Sequence, residues 1–328
     1  MKDESLQVFT TRADMIDPDD NIVATYYVEG RDISIQEAAV KIAAEESVGT
    51  WTDITTATSW LMKNLPAKAF EFKTEDGRTG LVKIAYPVSL FDCKTGGIPN
   101  ILSIIAGEIF GSRSFDNIRL LDAEFPKAVV SSFKGPKFGI EGLRRIVGTD
   151  GDRRPHIGTI IKPKVGLSPR ETAKVAYEAA VGGVDFIKDD ETLTDQRFCP
   201  LLERVSAVME ALDKAKSETG RTILYAPDIT SETYRIRELA DKAIEHGAPF
   251  LMVDVVPCGY SAIRVLAEDP SIKVPIHVHR AGHGAFTRNP KHGISMKILA
   301  KFTRLAGGDQ LHTGTAAGKM DRKISEII

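Results

Sequence analysis

Lys188 closes a short apolar run, Gly182-Gly183-Val184-Asp185-Phe186-Ile187, and is followed at once by Asp189, Asp190 and Glu191. Alternation along a strand places Lys188 and Asp190 on one side, and Glu191 can swing in where the strand ends. Two carboxylates beside one lysine suit Mg2+, which prefers oxygen ligands and keeps several waters. A protonated lysine cannot ligate a metal, whereas a lysine carbamylated by CO2 becomes an anionic oxygen donor. The plainer alternative is an ion pair on a solvated turn. The position after an apolar strand opened by Gly-Gly favours the chemical one.

Three further clusters carry chemistry. In Gly158-Thr159-Ile160-Ile161-Lys162-Pro163-Lys164 the two lysines point to the same side across a stiff proline. At a strand end they suit phosphate binding or proton transfer; elsewhere they would be a basic surface loop. His277-Val278-His279-Arg280-Ala281-Gly282-His283 aims two imidazoles one way and offers Arg280 for bidentate phosphate recognition. A metal site and ordinary core packing both remain open for the HxH pair. Leu311-His312-Thr313-Gly314-Thr315-Ala316-Ala317-Gly318-Lys319 is not a P-loop, because three residues separate the glycines and Met320 stands where Ser or Thr belongs. A glycine-flanked loop presenting one lysine reads as a closing lid.

These clusters need elements that bring them together. Short apolar segments begin near residues 157, 184, 222, 250, 275 and 311, at intervals of 27, 38, 28, 25 and 36 residues, with helical stretches at 169–181, 199–216, 232–246 and 292–306 between them. That is the rhythm of repeated βα units. Nearly every segment ends in polar residues, including Asp228 and Asp254, and reactive groups at the C-terminal ends of parallel strands are the layout of a (β/α)8 barrel site. A doubly wound open sheet is the structural alternative. Only six units fit before Ile328, and two more would need roughly 60 further residues. The first third reads differently, with strands at 22–29, 68–73 and 80–86 and helices at 34–47 and 99–110. The expectation is therefore a mixed α/β chain: an N-terminal α+β, ferredoxin-like domain over 1–130, then a TIM-type barrel of about six βα units over 131–328.

Composition bounds the partners. With 43 Lys+Arg against 45 Asp+Glu, the net charge of -2 gives no bulk attraction to nucleic acid or anionic lipid. An anionic ligand must be held locally. Three scattered cysteines form no disulfide framework or CxxC clip, and neither a leader nor a membrane span is legible, so the expected setting is the cytoplasm.

Taken in order, the four clusters resemble the large subunit of ribulose-1,5-bisphosphate carboxylase/oxygenase. Two N-terminal stretches add to the likeness: Glu45 to Trp51 (EESVGTW) and GGIPNILSIIAGEIFG with Asn100. The resemblance covers essentially the whole chain and leans toward the archaeal, small-subunit-free type (form III-like), C-terminally short. It implies Mg2+-dependent carboxylation of ribulose-1,5-bisphosphate to two 3-phosphoglycerate, with side oxygenation, in a homodimer or higher homo-oligomer. Lys188 would be carbamylated, would hold Mg2+ with Asp190 and Glu191, and would take the C3 proton. Lys162 would be the acid/base at C2, with Lys164 beside it keeping its pKa low. His279 would assist at C3, Arg280 and His312 would bind one phosphate, and His283 would lend support nearby. Lys319 would stabilise the developing carboxylate. Glu45 and Asn100 would reach that lid from the partner chain, where Thr50 and Trp51 bind the other phosphate.

Two departures and three competitors accompany this reading. Ile160 replaces a threonine that touches substrate in many relatives, and the glycine-rich phosphate segments after strands 7 and 8 are absent. The competitors are a carboxylase-like sugar-phosphate enolase or isomerase, an amidohydrolase barrel, and an inactive shortened chain. In an amidohydrolase the HxH precedes the lysine; here it follows Lys188 by about 90 residues.

Overall fold

The structure, a computed structural model, describes residues 8–49 and 55–314. Two compact units divide them: one holds the residues up to Phe133 with His283–Phe302 and Gly314, the other Lys134–Gly282 and Thr303–Thr313.

The first unit is built on a five-stranded sheet. Its strands β1 (Asn21–Gly30), β2 (Lys68–Thr74), β3 (Thr79–Pro87) and β4 (Phe115–Glu124) are antiparallel neighbours, with β1 between β3 and β4. Helix α1 (Ile35–Glu45) starts at Ser34, whose side chain and that of Glu37 form a reciprocal capping box, and it buries Ile35, Ala38, Ala39, Val40, Ile42 and Ala43. Helix α2 (Gly97–Ile105) stops five residues before the expected 110. Buried Glu46 accepts hydrogen bonds from the amides of Gly107 (3.2 Å) and Ile109 (3.0 Å), which draws the chain out of helical geometry.

The second unit contains successive βα units. Helix α3 (Gly139–Val147) leads into β5 (Gly158–Ile160), α4 (Pro169–Val181), β6 (Phe186–Lys188), α5 (Leu201–Thr219), β7 (Leu224–Ala226), α6 (Thr233–Glu245), β8 (Leu251–Asp254), α7 (Tyr260–Glu268) and β9 (Ile276–His279). All the strand pairings here are parallel, giving β5-β6-β7 and β8-β9, and the Met252 amide donates to Pro227 O while Ile229 N–H donates to Met252 O, which joins β7 to β8. The strands thus neighbour one another in chain order. A doubly wound sheet reverses order at its switch point, so this arrangement is the wall of a barrel.

The expected helix at 292–306 begins only at Met296. Residues Gly293–Ile294 form β10, paired parallel to β4 in the first unit's sheet, and helix α8 (Met296–Ala306) follows. Gly293 has φ +103, and a Cβ there would lie 2.2 Å from Phe286 O, so only glycine makes this turn. The last strand, β11 (Gln310–Leu311), pairs parallel to β9.

Period-two alternation fills the barrel. Leu224, Ala226, Phe250 and Met252 pack with Leu143 of α3, backed by Ile146, Val147 and Phe186. Burying a Leu such as Leu143 is worth about 2 kcal/mol. Gly158 has no alternative here, because a Cβ would sit 2.0 Å from the Phe186 ring. Beneath this layer, Asp185 accepts from Arg154, Arg221 and the Ile157 amide, while Asp309 accepts from the amides of Phe138, Gly139 and Ile276. These carboxylates fasten the N-terminal ends of the strands and leave the C-terminal ends to chemistry.

Candidate active site

At the C-terminal end of β6, Lys188 is buried and its Nζ donates to Asp189 O at 3.0 Å, with Glu191 Oε2 3.8 Å away. Burial holds the Lys188 amine below its ordinary range; the facing carboxylates of Glu191, Asp190, Asp254 and Asp228 pull the other way. Asp190, also buried, accepts from Lys162 Nζ and from Thr192 Oγ1 (2.8 Å). Burial opposes its ionisation, yet the hydrogen bonds from Lys162 and Thr192 hold its carboxyl below the usual carboxylate range. Lys164 Nζ lies 3.9 Å from Asp190 Oδ1 and 3.7 Å from Glu191 Oε1. The two lysines flanking Pro163 therefore converge on the carboxylate pair after β6, and both remain more than half exposed toward the mouth.

The strands opposite supply imidazoles. His279 Nδ1 stands 3.0 Å from Asp254 Oδ1, and its Nε2 is 3.8 Å from Glu191 Oε2. The same Nδ1 lies 3.2 Å from the Ala281 amide nitrogen, so the ring is held between the Asp254 side chain and the backbone. His312 stacks on His279 with centroids 5.8 Å apart and an interplanar angle of 16°. Burial, reinforced by the Arg280 charge, pulls its pKa down to about 4, and its buried Nδ1 has no hydrogen-bond partner. One layer below, His277 Nδ1 meets Gln310 Oε1 at 2.8 Å, and burial takes its pKa to about 3. This half of the HxH pair is set in the barrel core, its ring packed on Phe186 and Phe250.

Sequence reasoning did not assign roles to Asp228 or Asp254, although both were visible as strand-end carboxylates. Asp228 is fully buried, its Oδ1 accepts from Thr230, and its Oδ2 has no partner. Burial, then the neighbouring Asp254 charge, raises its carboxyl well above the usual range.

The arrangement is thus a ring of ammonium, carboxylate and imidazole groups at the C-terminal ends of parallel strands, open to an anionic substrate. Two family profiles match the chain: the ribulose bisphosphate carboxylase large chain N-terminal domain over residues 11–129, and the catalytic domain of the same large chain over residues 139–327. The chain belongs to the ribulose bisphosphate carboxylase large-chain family. It is 45% identical over 298 residues to the ribulose bisphosphate carboxylase of Methanocaldococcus jannaschii, covering 90% of this chain and 69% of that protein. The enzyme of that name from Archaeoglobus fulgidus is 43% identical over 311 residues, with 92% and 68% covered. Among solved structures, the dimeric archaeal Rubisco from Hyperthermus butylicus superposes with a TM-score of 0.88 at 39% identity, covering 98% of this chain and 74% of that one. The octameric Rubisco from Pyrococcus horikoshii gives 0.89 at 38% identity, with the same coverage.

Within this large-chain fold, Lys162, Lys164, Lys188, Asp190, Glu191, His279, Arg280 and His312 all belong to the barrel unit. Glu45, Asn100 and His283 belong to the other. Glu45 ends α1, where burial lifts its carboxyl above the ordinary range, and Asn100 on α2 accepts from the Asp92 amide at 2.8 Å. His283 Nδ1 pairs with Thr287 Oγ1 at 2.8 Å. Thr50, Trp51 and Lys319 lie outside the described residues. Among the described residues no helix is long and apolar enough to cross a membrane.

Proposed function

We propose that this chain carboxylates ribulose-1,5-bisphosphate, joining it to CO2 and water to give two molecules of 3-phosphoglycerate. The observation that carries this reading is the convergence of Lys162, Lys164, Lys188 and His279 on the adjacent carboxylates Asp190 and Glu191, in a chain of this family. The archaeal relatives are named carboxylases, which favours this reaction over the sugar-phosphate enolase or isomerase alternative.

The donor set fits Mg2+. Asp190 and Glu191 supply two oxygen ligands, and among the described residues no three His, Cys, Asp or Glu side chains are grouped for a metal. A carbamate on Lys188 would bring the third anionic donor, and burial that disfavours the ammonium form leaves the amine free to attack CO2 with release of one proton. When bound, the cation and carbamate supply a Lewis acid for the enediolate charge and an anionic base beside C3.

The remaining steps belong to side chains. Lys162, with Lys164 beside it, moves the proton at C2, and His279, oriented by Asp254, serves C3. Arg280 and His312 hold one phosphate; Thr50 and Trp51 hold the other, and Glu45 and Asn100 meet the lid lysine Lys319, all from a partner chain. The assembly is a homodimer or larger homo-oligomer, as its dimeric and octameric relatives support, and its setting is the cytoplasm. Oxygenation accompanies carboxylation, because O2 reaches the same enediolate. The domains divide at about 130/131, N-terminal α+β and then barrel.

The test is transfer of label from bicarbonate into 3-phosphoglycerate by the purified chain with Mg2+ and ribulose-1,5-bisphosphate. Activity that Lys188→Ala abolishes is the expected result. Full activity in Lys188→Ala would overturn the carbamate role, and labelled product other than 3-phosphoglycerate would overturn the reaction.

A further inference from the structure

Asp189 sits between the residues that would hold the cation and points the other way. Alternation turns Lys188 and Asp190 into the barrel and Asp189 outward, where it is 0% exposed. Its Oδ1 accepts from the Tyr225 hydroxyl at 2.7 Å, and its Oδ2 accepts from Arg204 Nε and the Asp228 amide, both at 3.0 Å. Arg204, in the first turn of α5, is also 0% exposed and directs its other nitrogens along the loop after β6. Nη1 donates to Cys199 O at 2.7 Å, and Nη2 donates to Thr194 O at 2.7 Å and Leu193 O at 3.4 Å. One guanidinium therefore grips both ends of the segment carrying Asp190 and Glu191.

Burying two charges is a costly way to gain stability, since a well-packed apolar pair does as well. What this cluster supplies is direction, because a planar fork meeting one carboxylate and three carbonyls admits a single arrangement of the loop. Hydrogen bonds behind metal ligands orient them, and their loss typically weakens metal binding by about 10- to 100-fold.

We propose that Asp189, Arg204 and Tyr225 are positioning residues for the cation site, fixing the backbone from which Lys188, Asp190 and Glu191 project. The inference rests on the proposed reading of those three residues. Its test uses the full chain in 13C-labelled bicarbonate, titrated with Mg2+ and read without turnover by the carbamate carbon resonance and by calorimetric Mg2+ affinity. Tyr225→Phe is the first variant, since it removes one hydrogen bond at nearly constant volume. Arg204→Lys, which keeps the charge and loses the fork, is the second.

The wild type is expected to show a carbamate signal that Lys188→Ala lacks, and Tyr225→Phe to bind Mg2+ about tenfold more weakly with an unchanged circular dichroism spectrum. Arg204→Lys should bind it more weakly still; if that variant does not fold, Tyr225→Phe decides alone. Wild-type Mg2+ affinity and carbamate occupancy in the folded variants, with only the thermal midpoint lowered, would make the cluster structural and overturn the proposal. A wild type that forms no carbamate and binds no Mg2+ would overturn the metal reading and this inference together, a failure visible before any substitution is made.

Discussion

Asp254 Oδ1 stands 3.0 Å from His279 Nδ1 across the neighbouring strands β8 and β9. The carboxylate holds the ring with Nε2 facing Glu191. Asp254→Asn keeps the shape and removes the charge. The expected outcome in steady-state kinetics is a fall in kcat of about 100-fold with KM little changed, because proton transfer in the transition state suffers more than substrate binding.

Activation by CO2 should follow the titration of Lys188. Only the neutral amine adds to CO2, and burial lowers its pKa from the ordinary lysine value of 10.5. Activation therefore rises with pH and levels off above the lowered pKa, with its midpoint below 10.5. Pre-incubating the chain with CO2 and Mg2+ across a pH series, then assaying at one fixed pH, measures this midpoint. A midpoint at the ordinary lysine value would contradict the burial argument.

His277 makes folding sensitive to acid. Its folded pKa lies at about 3 because of burial, against 6.5 for the free side chain. Below pH 6.5 the unfolded chain takes up a proton that the folded chain refuses, so stability is lost as pH falls from about 6.5 toward 3, by up to about 1.4 kcal/mol per pH unit. Urea midpoints at pH 7.5, 6 and 5 should fall in sequence, and His277→Gln should flatten that slope.

Asp185 fastens the barrel floor and takes no part in the proposed chemistry. Hydrogen bonds from Arg154 lead in holding its carboxyl well below the usual range despite burial, and it also satisfies the Ile157 amide. Asp185→Ala should lower unfolding free energy by about 2–3 kcal/mol, most of it from the stranded amide, since both arginines are more than a third exposed and rehydrate. Denaturant titration reads the loss; Mg2+ affinity should not move.

The clusters at Lys162–Lys164, Lys188–Glu191 and His277–His283 were legible because chemistry concentrates where apolar strands end, and period-two alternation says which side chains share a face. The βα rhythm was legible for the same reason: helices α4, α5 and α6 are long enough to show a period. Strand β10 was not, because two residues carry no period and its pairing partner β4 lies some 170 positions earlier. Strand β4 and helices α3 and α7 likewise went unassigned.

By itself the sequence determined the identities and order of the reactive groups, and through local periodicity most of the elements that carry them. The tertiary structure alone decided that the six barrel-unit strands neighbour one another in chain order, as a wall and not as a doubly wound sheet. It also decided that Asp254 orients His279, that His277 is core while His279 faces the site, and that Arg204 seals against Asp189. Each of these depends on hydrogen bonds between residues 15 to 39 positions apart, together with exclusion of water. Propensity and spacing report only on near neighbours, whereas burial sets the cost of an unpaired charge and so fixes which distant partner each buried group must find.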